Sequence, residues 1–231
     1  MKIIFTDTVG ISKKYYPTPA SSSIPKWYKD LESYKDNLKK PNLNGNTAST
    51  IKRCMPVFDA ISAGYIIYTY TDLYISKTTE GSHYQWPSLN PIGFHPVDQA
   101  PNHPDRNGLL DTSSYPKWKN VWAIKTPKGY SCLITTPMHR ESPFKIFDGI
   151  VDTDFYDAPI NFPFVLKDWD FEGLIEAGTP IAQIIPFKRE FYKMEIGNEK
   201  QKKEQEKTTN FLLTSFFDSY KKKFRQNKEY R

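Results

Sequence analysis

Apolar and polar residues alternate most cleanly from Tyr65 to Ser76. Ile67, Thr69, Thr71, Leu73 and Ile75 recur at every second position, which predicts a strand with those five side chains on one face. Shorter runs rich in β-branched and aromatic residues follow at Val121 to Lys125, Tyr130 to Thr136, Phe144 to Asp154, Phe171 to Ile175 and Ile181 to Phe187. Thr126-Pro127-Lys128-Gly129 has proline second and glycine fourth, as a type I turn prefers, so the two runs around it read as a hairpin. Glu176-Ala177-Gly178-Thr179-Pro180 makes another strand, turn, strand unit. Gly149 inside a strand pattern predicts a bulge or a close backbone approach. Lys2 to Thr6 reads as an edge strand. The prediction is a mainly β, antiparallel domain.

Helical spacing is confined to three segments. Pro25 to Leu38 places Trp27, Leu31 and Tyr34 four and three apart, with Pro25 near the first turn. Pro56 to Ala63 is a helical turn or two, ended by Gly64 as a C-terminal cap. From Asn198 to Lys228, Leu213, Phe217, Tyr220 and Phe224 form an apolar stripe that Leu212 and Phe216 widen. That stripe predicts an amphipathic helix whose apolar face is buried on this chain or on a neighbour. Ser12 to Ser23 and Lys39 to Ser49 read as loops. Gly81 to Trp118, with three of the four histidines and eight tryptophan and proline residues, reads as an insertion of short strands and ordered loops. The expected division is an N-terminal extension over 1–55, a β domain over 56–190 carrying the insertion at 81–118, and a basic helix over 191–231.

At 231 residues the chain is long enough for a sizeable core. Its net charge of +6 is local: residues 1–187 carry 19 basic and 19 acidic side chains, and residues 188–231 carry 13 and 7. Nucleic acid is therefore not expected as a partner except through the tail. No apolar run approaches a membrane span, so no membrane partner is expected. MKIIFTDTVG holds too short an apolar run for a signal peptide. Cys54 and Cys132 lie 78 residues apart, in no metal spacing, and read as buried thiols in a reducing compartment. The expected location is the cytoplasm, or a host cytoplasm or virion if a phage encodes the chain.

The candidate chemistry starts at Asp152 and Asp154. Two apart on a strand, their carboxylates point to one face. The competing reading has them cap a turn or meet Arg140. The histidines raise a metal reading. His95-Pro96-Val97-Asp98 has one residue more than the His-x-Asp spacing of iron oxygenases, although His139 with Asp98 or Asp152 completes a two-histidine, one-carboxylate set. Against it stand loop histidines held by hydrogen bonds, and no protein-held metal is expected.

Four segments resemble, in order, the motifs of the dUTPase and dCTP deaminase superfamily. Ser62 to Ile75 (SAGYIIYTYTDLYI) is similar to the first, usually AGYDL and a strand. Pro127 to Ile134 (PKGYSCLI) resembles the run that leads into the second. Gly149 to Tyr156 (GIVDTDFY) is similar to the third, and Phe171 to Ile185 (FEGLIEAGTPIAQII) to the fourth. The chain also resembles uncharacterised phage and bacterial proteins of this length. The resemblance implies a β-clip fold, a homotrimer with sites between subunits, and a nucleotide ligand. Asp152 would orient and deprotonate the attacking water, with Asp154 beside it. Gln183, Arg140 and Ser142 would face the phosphates, and Mg²⁺ would be a cofactor only of a hydrolase, held mainly by the phosphates. The chain also departs from the pattern. Ile66 stands in place of the first motif's aspartate, Met138-His139-Arg140-Glu141-Ser142 in place of the second motif, Phe155 in place of the third's tyrosine, and Thr179-Pro180 in place of Asp-Arg; the Gly-rich C-terminal motif is missing. These departures favour a module that binds a ligand or assembles without efficient dUTP hydrolysis. The alternative is a Mg²⁺-dependent nucleoside triphosphate pyrophosphatase acting through Asp152.

Overall fold

The pattern of short β runs becomes fourteen described strands, all paired antiparallel. The computed structural model describes residues 1–38, 48–79, 81–95, 115–168, 170–214 and 218–231. The chain divides into two units. The first comprises Met1–Ser23, Ala63–Arg189 and Tyr230–Arg231, and the second Ile24–Ser62 and Glu190–Glu229.

The first unit is built of four small sheets. β1 (Ile4–Asp7) pairs with β8 (Trp122–Lys125). β10 (Phe144–Ile146), β12 (Phe162–Leu166), β7 (Tyr115–Trp118) and β6 (Ile92–His95) form a second sheet in that order. β11 (Gly149–Val151), β9 (Tyr130–Thr135), β14 (Pro180–Lys188), β3 (Tyr65–Tyr68) and β2 (Thr18–Pro19) form the third, and β13 (Gly173–Ile175), β4 (Leu73–Thr78) and β5 (Gly81–Gln85) the fourth.

Several runs that read as single elements turn out to be corners between sheets. Tyr65 to Ser76 breaks into β3 and β4. Its five alternating residues are nonetheless all buried, with Thr69 and Thr71 at the bend only 1% and 4% exposed. There the Thr69 hydroxyl donates to the Thr71 carbonyl at 2.9 Å, and Thr69 N donates to Thr179 O at 3.0 Å, so side chain and turn replace the ladder. The expected hairpin at Thr126–Gly129 is likewise a corner: β8 pairs with β1, while β9 pairs with β11 and β14. Phe144 to Asp154 splits into β10 and β11 on different sheets. Switching sheets lets a short strand bury one side chain set in a common core without a long ladder.

That core joins all the sheets through Ile67, Leu73, Ile75, Ile124, Ile134 and Phe164 among others. β6 and β7, from the 81–118 segment, carry Ile92 and Trp118 into it. The Trp118 ring stacks on Phe164 at 4.9 Å and meets Phe144 edge-on at 5.1 Å, contacts worth about 0.5–1.5 kcal/mol per pair beyond area burial. Gly64 has φ +66, and a Cβ there would lie 1.9 Å from the Ile184 carbonyl oxygen on β14, so both backbone conformation and space require glycine.

The second unit is helical: α1 (Lys26–Asp30), α2 (Met55–Ser62), α3 (Glu199–Thr214) and α4 (Ser219–Lys223). The helix predicted from Pro25 is shorter than its pattern and ends at Asp30. Asp59 on α2 accepts from Arg225 at 2.6 Å and from Lys228 at 2.9 Å. Burial alone would raise its carboxyl; these two cations outweigh that and hold it below its ordinary value. The tail forms two described helices where one was expected, and its described stripe residues stay partly exposed within this chain. Asp218 adopts φ +63 and separates α3 from α4, and Leu213 is 79% exposed, Tyr220 43% and Phe224 38%. Glu199 to Asn210 presents only polar side chains, so α3 has no apolar face along most of its length. Phe216 and Phe217 lie outside the described residues.

Among the described residues no helix is long and apolar enough to cross a membrane.

Candidate functional site: the turn after β11

Asp152 and Asp154 do not lie on a strand. β11 ends at Val151, and the chain turns, with Phe155 N and Tyr156 N both donating to Asp152 O at 3.0 and 2.9 Å. Thr153, fully buried at the centre of this turn, shares a hydrogen bond with the Thr126 hydroxyl at 2.7 Å and donates to Cys132 Sγ at 3.3 Å. That anchor faces Thr153 inward and leaves the Asp152 side chain on the outer side.

Both carboxylates converge on Arg189, the residue after β14. Arg189 Nη1 donates to Asp152 Oδ1 at 3.0 Å and to Asp154 Oδ1 at 2.7 Å, and Nη2 donates to Asp154 Oδ2. Gly129 N completes the Asp154 shell at 2.8 Å. The Ser131 hydroxyl donates to Asp152 Oδ1 at 2.6 Å and accepts from Arg189 Nη1 at 3.0 Å. The Arg189 backbone N–H also donates to Gly129 O at 2.8 Å. The two-pronged pairing is the strong arginine–carboxylate geometry. It holds the Asp154 carboxyl down to about 2, chiefly through the Arg189 hydrogen bonds. The Asp154 side chain is only 2% exposed, whereas that of Asp152 is 62% exposed.

Arg189 is the participant that the motifs do not mark. The register could have found it: Lys188 pairs with Tyr130, which brings the following residue alongside Gly129 and the corner that holds the acidic turn. The partner expected for the carboxylates, Arg140, lies elsewhere. Its guanidinium donates to the Ser23 carbonyl and hydroxyl, and burial pulls it below its ordinary value. The Ser142 hydroxyl accepts from Phe144 N at 3.2 Å, closing a local turn.

Gln183 is fully buried in β14. Its Oε1 accepts from Met138 N at 2.8 Å, and its Nε2 donates to Ala63 O at 2.7 Å, so it ties two loops to the sheet. Gln183 pairs with Thr135, and Asp152 is bonded to Ser131, four residues back along β9. The two candidates are therefore separated by roughly 13 Å of strand within one chain. The fold brings together Asp152, Asp154, Ser131 and Arg189; it does not bring Gln183, Arg140 or Ser142 to them.

The donor set between the carboxylates does not fit a divalent cation, because a guanidinium already stands there. No group of three or more histidine, cysteine or acidic side chains among the described residues is placed to hold a metal ion. Asp98 and His103 lie outside the described residues, as does the side chain of His95.

No protein-family model matches the chain, and no curated protein does. Among solved structures it is similar to a mutant dUTPase from phage phi11 of S. aureus, reported for its coordination of a structural Mg(II) ion. The identity is 16% and the TM-score 0.27, over 48% of this chain and 98% of that one.

Proposed function

We propose that this chain is a divergent dUTPase-like module of the β-clip type that binds a ligand and assembles, without turning over a nucleoside triphosphate. The observation that carries this reading is the Arg189 clamp. A general base must be free to take a proton from water, and here both candidate carboxylates accept from one guanidinium, with Asp154 also buried. Gln183, the expected phosphate contact, has its amide engaged with backbone. Assembly is supported by β11, an edge strand whose Ile150 is 66% exposed, and by Phe155 in the following turn at 72%. A homotrimer with a nucleotide ligand is the form that the sequence resemblance favours.

The second reading, a Mg²⁺-dependent nucleoside triphosphate pyrophosphatase, draws on the exposure of Asp152, whose Oδ2 is outside the clamp. In that case the phosphates of the substrate would hold the metal. Pyrophosphate release from dUTP, dCTP and dTTP with Mg²⁺, for the natural protein and Asp152→Ala, separates the two. The expected result is no release above background in either. A turnover of about 1 s⁻¹ or more that vanishes in the variant establishes the hydrolase instead.

A further inference from the structure

A second polar site lies in the β unit, away from the acidic turn. Gly93 on β6 pairs directly with Lys117 on β7. Having no side chain, Gly93 leaves a groove, and two lysine stems fill it. The point where its Cβ would stand is 2.9 Å from Lys117 Cε and 3.3 Å from Lys119 Cε, so the two ammonium-bearing ends are neighbours. Neither lysine makes an ion pair with a described residue. Like charges held side by side repel, and an anion placed between them removes that cost.

Both lysines line a cavity of about 450 Å³, which is within the size range of small-ligand sites. No carboxylate is among its described lining residues. Asp7, the neighbour of the lining residue Thr8, turns its carboxylate to the backbone N–H groups of Val9, Gly10 and Ile11 at 2.7–2.9 Å. Asn90 accepts from Ile92 N through Oδ1, which leaves its amide nitrogen as a donor, and the side chain of Asn161 makes no hydrogen bond to a described residue. The remaining wall combines Val9, Val121, Leu89 and the Tyr70 ring with Thr8 and Asn120, whose side chains are engaged with the backbone of Val121 and Trp122. Tyr70 is fixed by donating to Asn90 O at 3.2 Å, and burial pushes its phenol up to about 12, so it stays neutral.

We propose that this cavity binds a phosphate monoester carried on a flat organic body, with the dianion between Lys117 and Lys119 and the body against Tyr70 and Leu89. Two adjacent cations with no described acid to pair with match a dianion. The free amide hydrogens add donors, and the aromatic wall suits a planar group. A mononucleotide has both parts. The proposal rests on the ligand-binding half of the function proposed above and not on any chemistry at Asp152, so pyrophosphate release and cavity binding can fail independently.

Calorimetric titration of the full chain with UMP, AMP, uridine and adenosine tests it. Both nucleotides are expected to bind and both nucleosides to bind at least about tenfold more weakly. The double substitution Lys117→Gln/Lys119→Gln is expected to weaken nucleotide binding by at least about tenfold. Lys200→Gln/Lys203→Gln on α3 makes the same charge change elsewhere and is expected to leave binding unaltered. Circular dichroism confirms that each variant folds. No binding of either nucleotide at about 1 mM, equal binding of nucleosides, or equal losses in the two double variants would overturn the assignment.

Discussion

The β unit carries two charged sites that differ in one respect. At the turn after β11 each charge faces its opposite: Arg189 lies against Asp152 and Asp154, and the clamp is closed further by Ser131 and Gly129. Over Gly93 two lysines stand side by side with no described acid to pair with. The first site has the residues that a motif would mark, and the second has none of them. The difference teaches that residue identity locates charge, whereas pairing decides whether the charge is free for a ligand. Paired groups stabilise a turn, while unpaired like charges in a concave wall are a standing cost that a counter-charge relieves.

The comparison can be broken from either side. The largest effect is expected at the anchor of the clamp. Thr153→Val removes a fully buried hydroxyl that bonds Thr126 and Cys132, and should lower stability by about 1–2 kcal/mol, read from the urea midpoint. A loss below about 0.5 kcal/mol would mean that the turn is held by something else. The lysine pair should respond far less. Lys117→Gln/Lys119→Gln should change stability by no more than about 0.5 kcal/mol in the same titration, because no described ion pair is lost. A larger loss would show these lysines to be structural and would erase the contrast.

Much of the fold was legible in the alternation from Tyr65 to Ile75 and in the runs around Pro127 and Gly178, because burial follows period two even where a strand bends. Where a strand changes sheet was not legible. Thr69 and Thr71 read as ordinary strand positions, and only the contact of Thr69 with the turn at Thr179 shows that they form a corner. The tail misled because Leu213, Tyr220 and Phe224 keep helical spacing although they belong to two described helices, the second opened by a left-handed Asp218. At the acidic turn, proximity of Asp152 and Asp154 was evident and their partner was not. Arg189 follows the last motif, and its role depends on the β9–β14 register rather than on local sequence. The lysine site carries no motif: Gly93 and Lys117 meet only through the β6–β7 pairing.

The clamp itself is tested most directly by titrating the Asp154 side-chain carboxyl by carbon NMR. Arg189 holds this group down to about 2, from an ordinary value of 3.8. Because the folded value is depressed, the stabilisation is complete above the ordinary value and is lost as pH falls from 3.8 toward 2. The account predicts a midpoint near 2 in the natural protein and a clear upward shift in Arg189→Ala. A midpoint at or above 3.8 in the natural protein, or one unmoved by that substitution, would contradict the claim that Arg189 occupies the acidic turn.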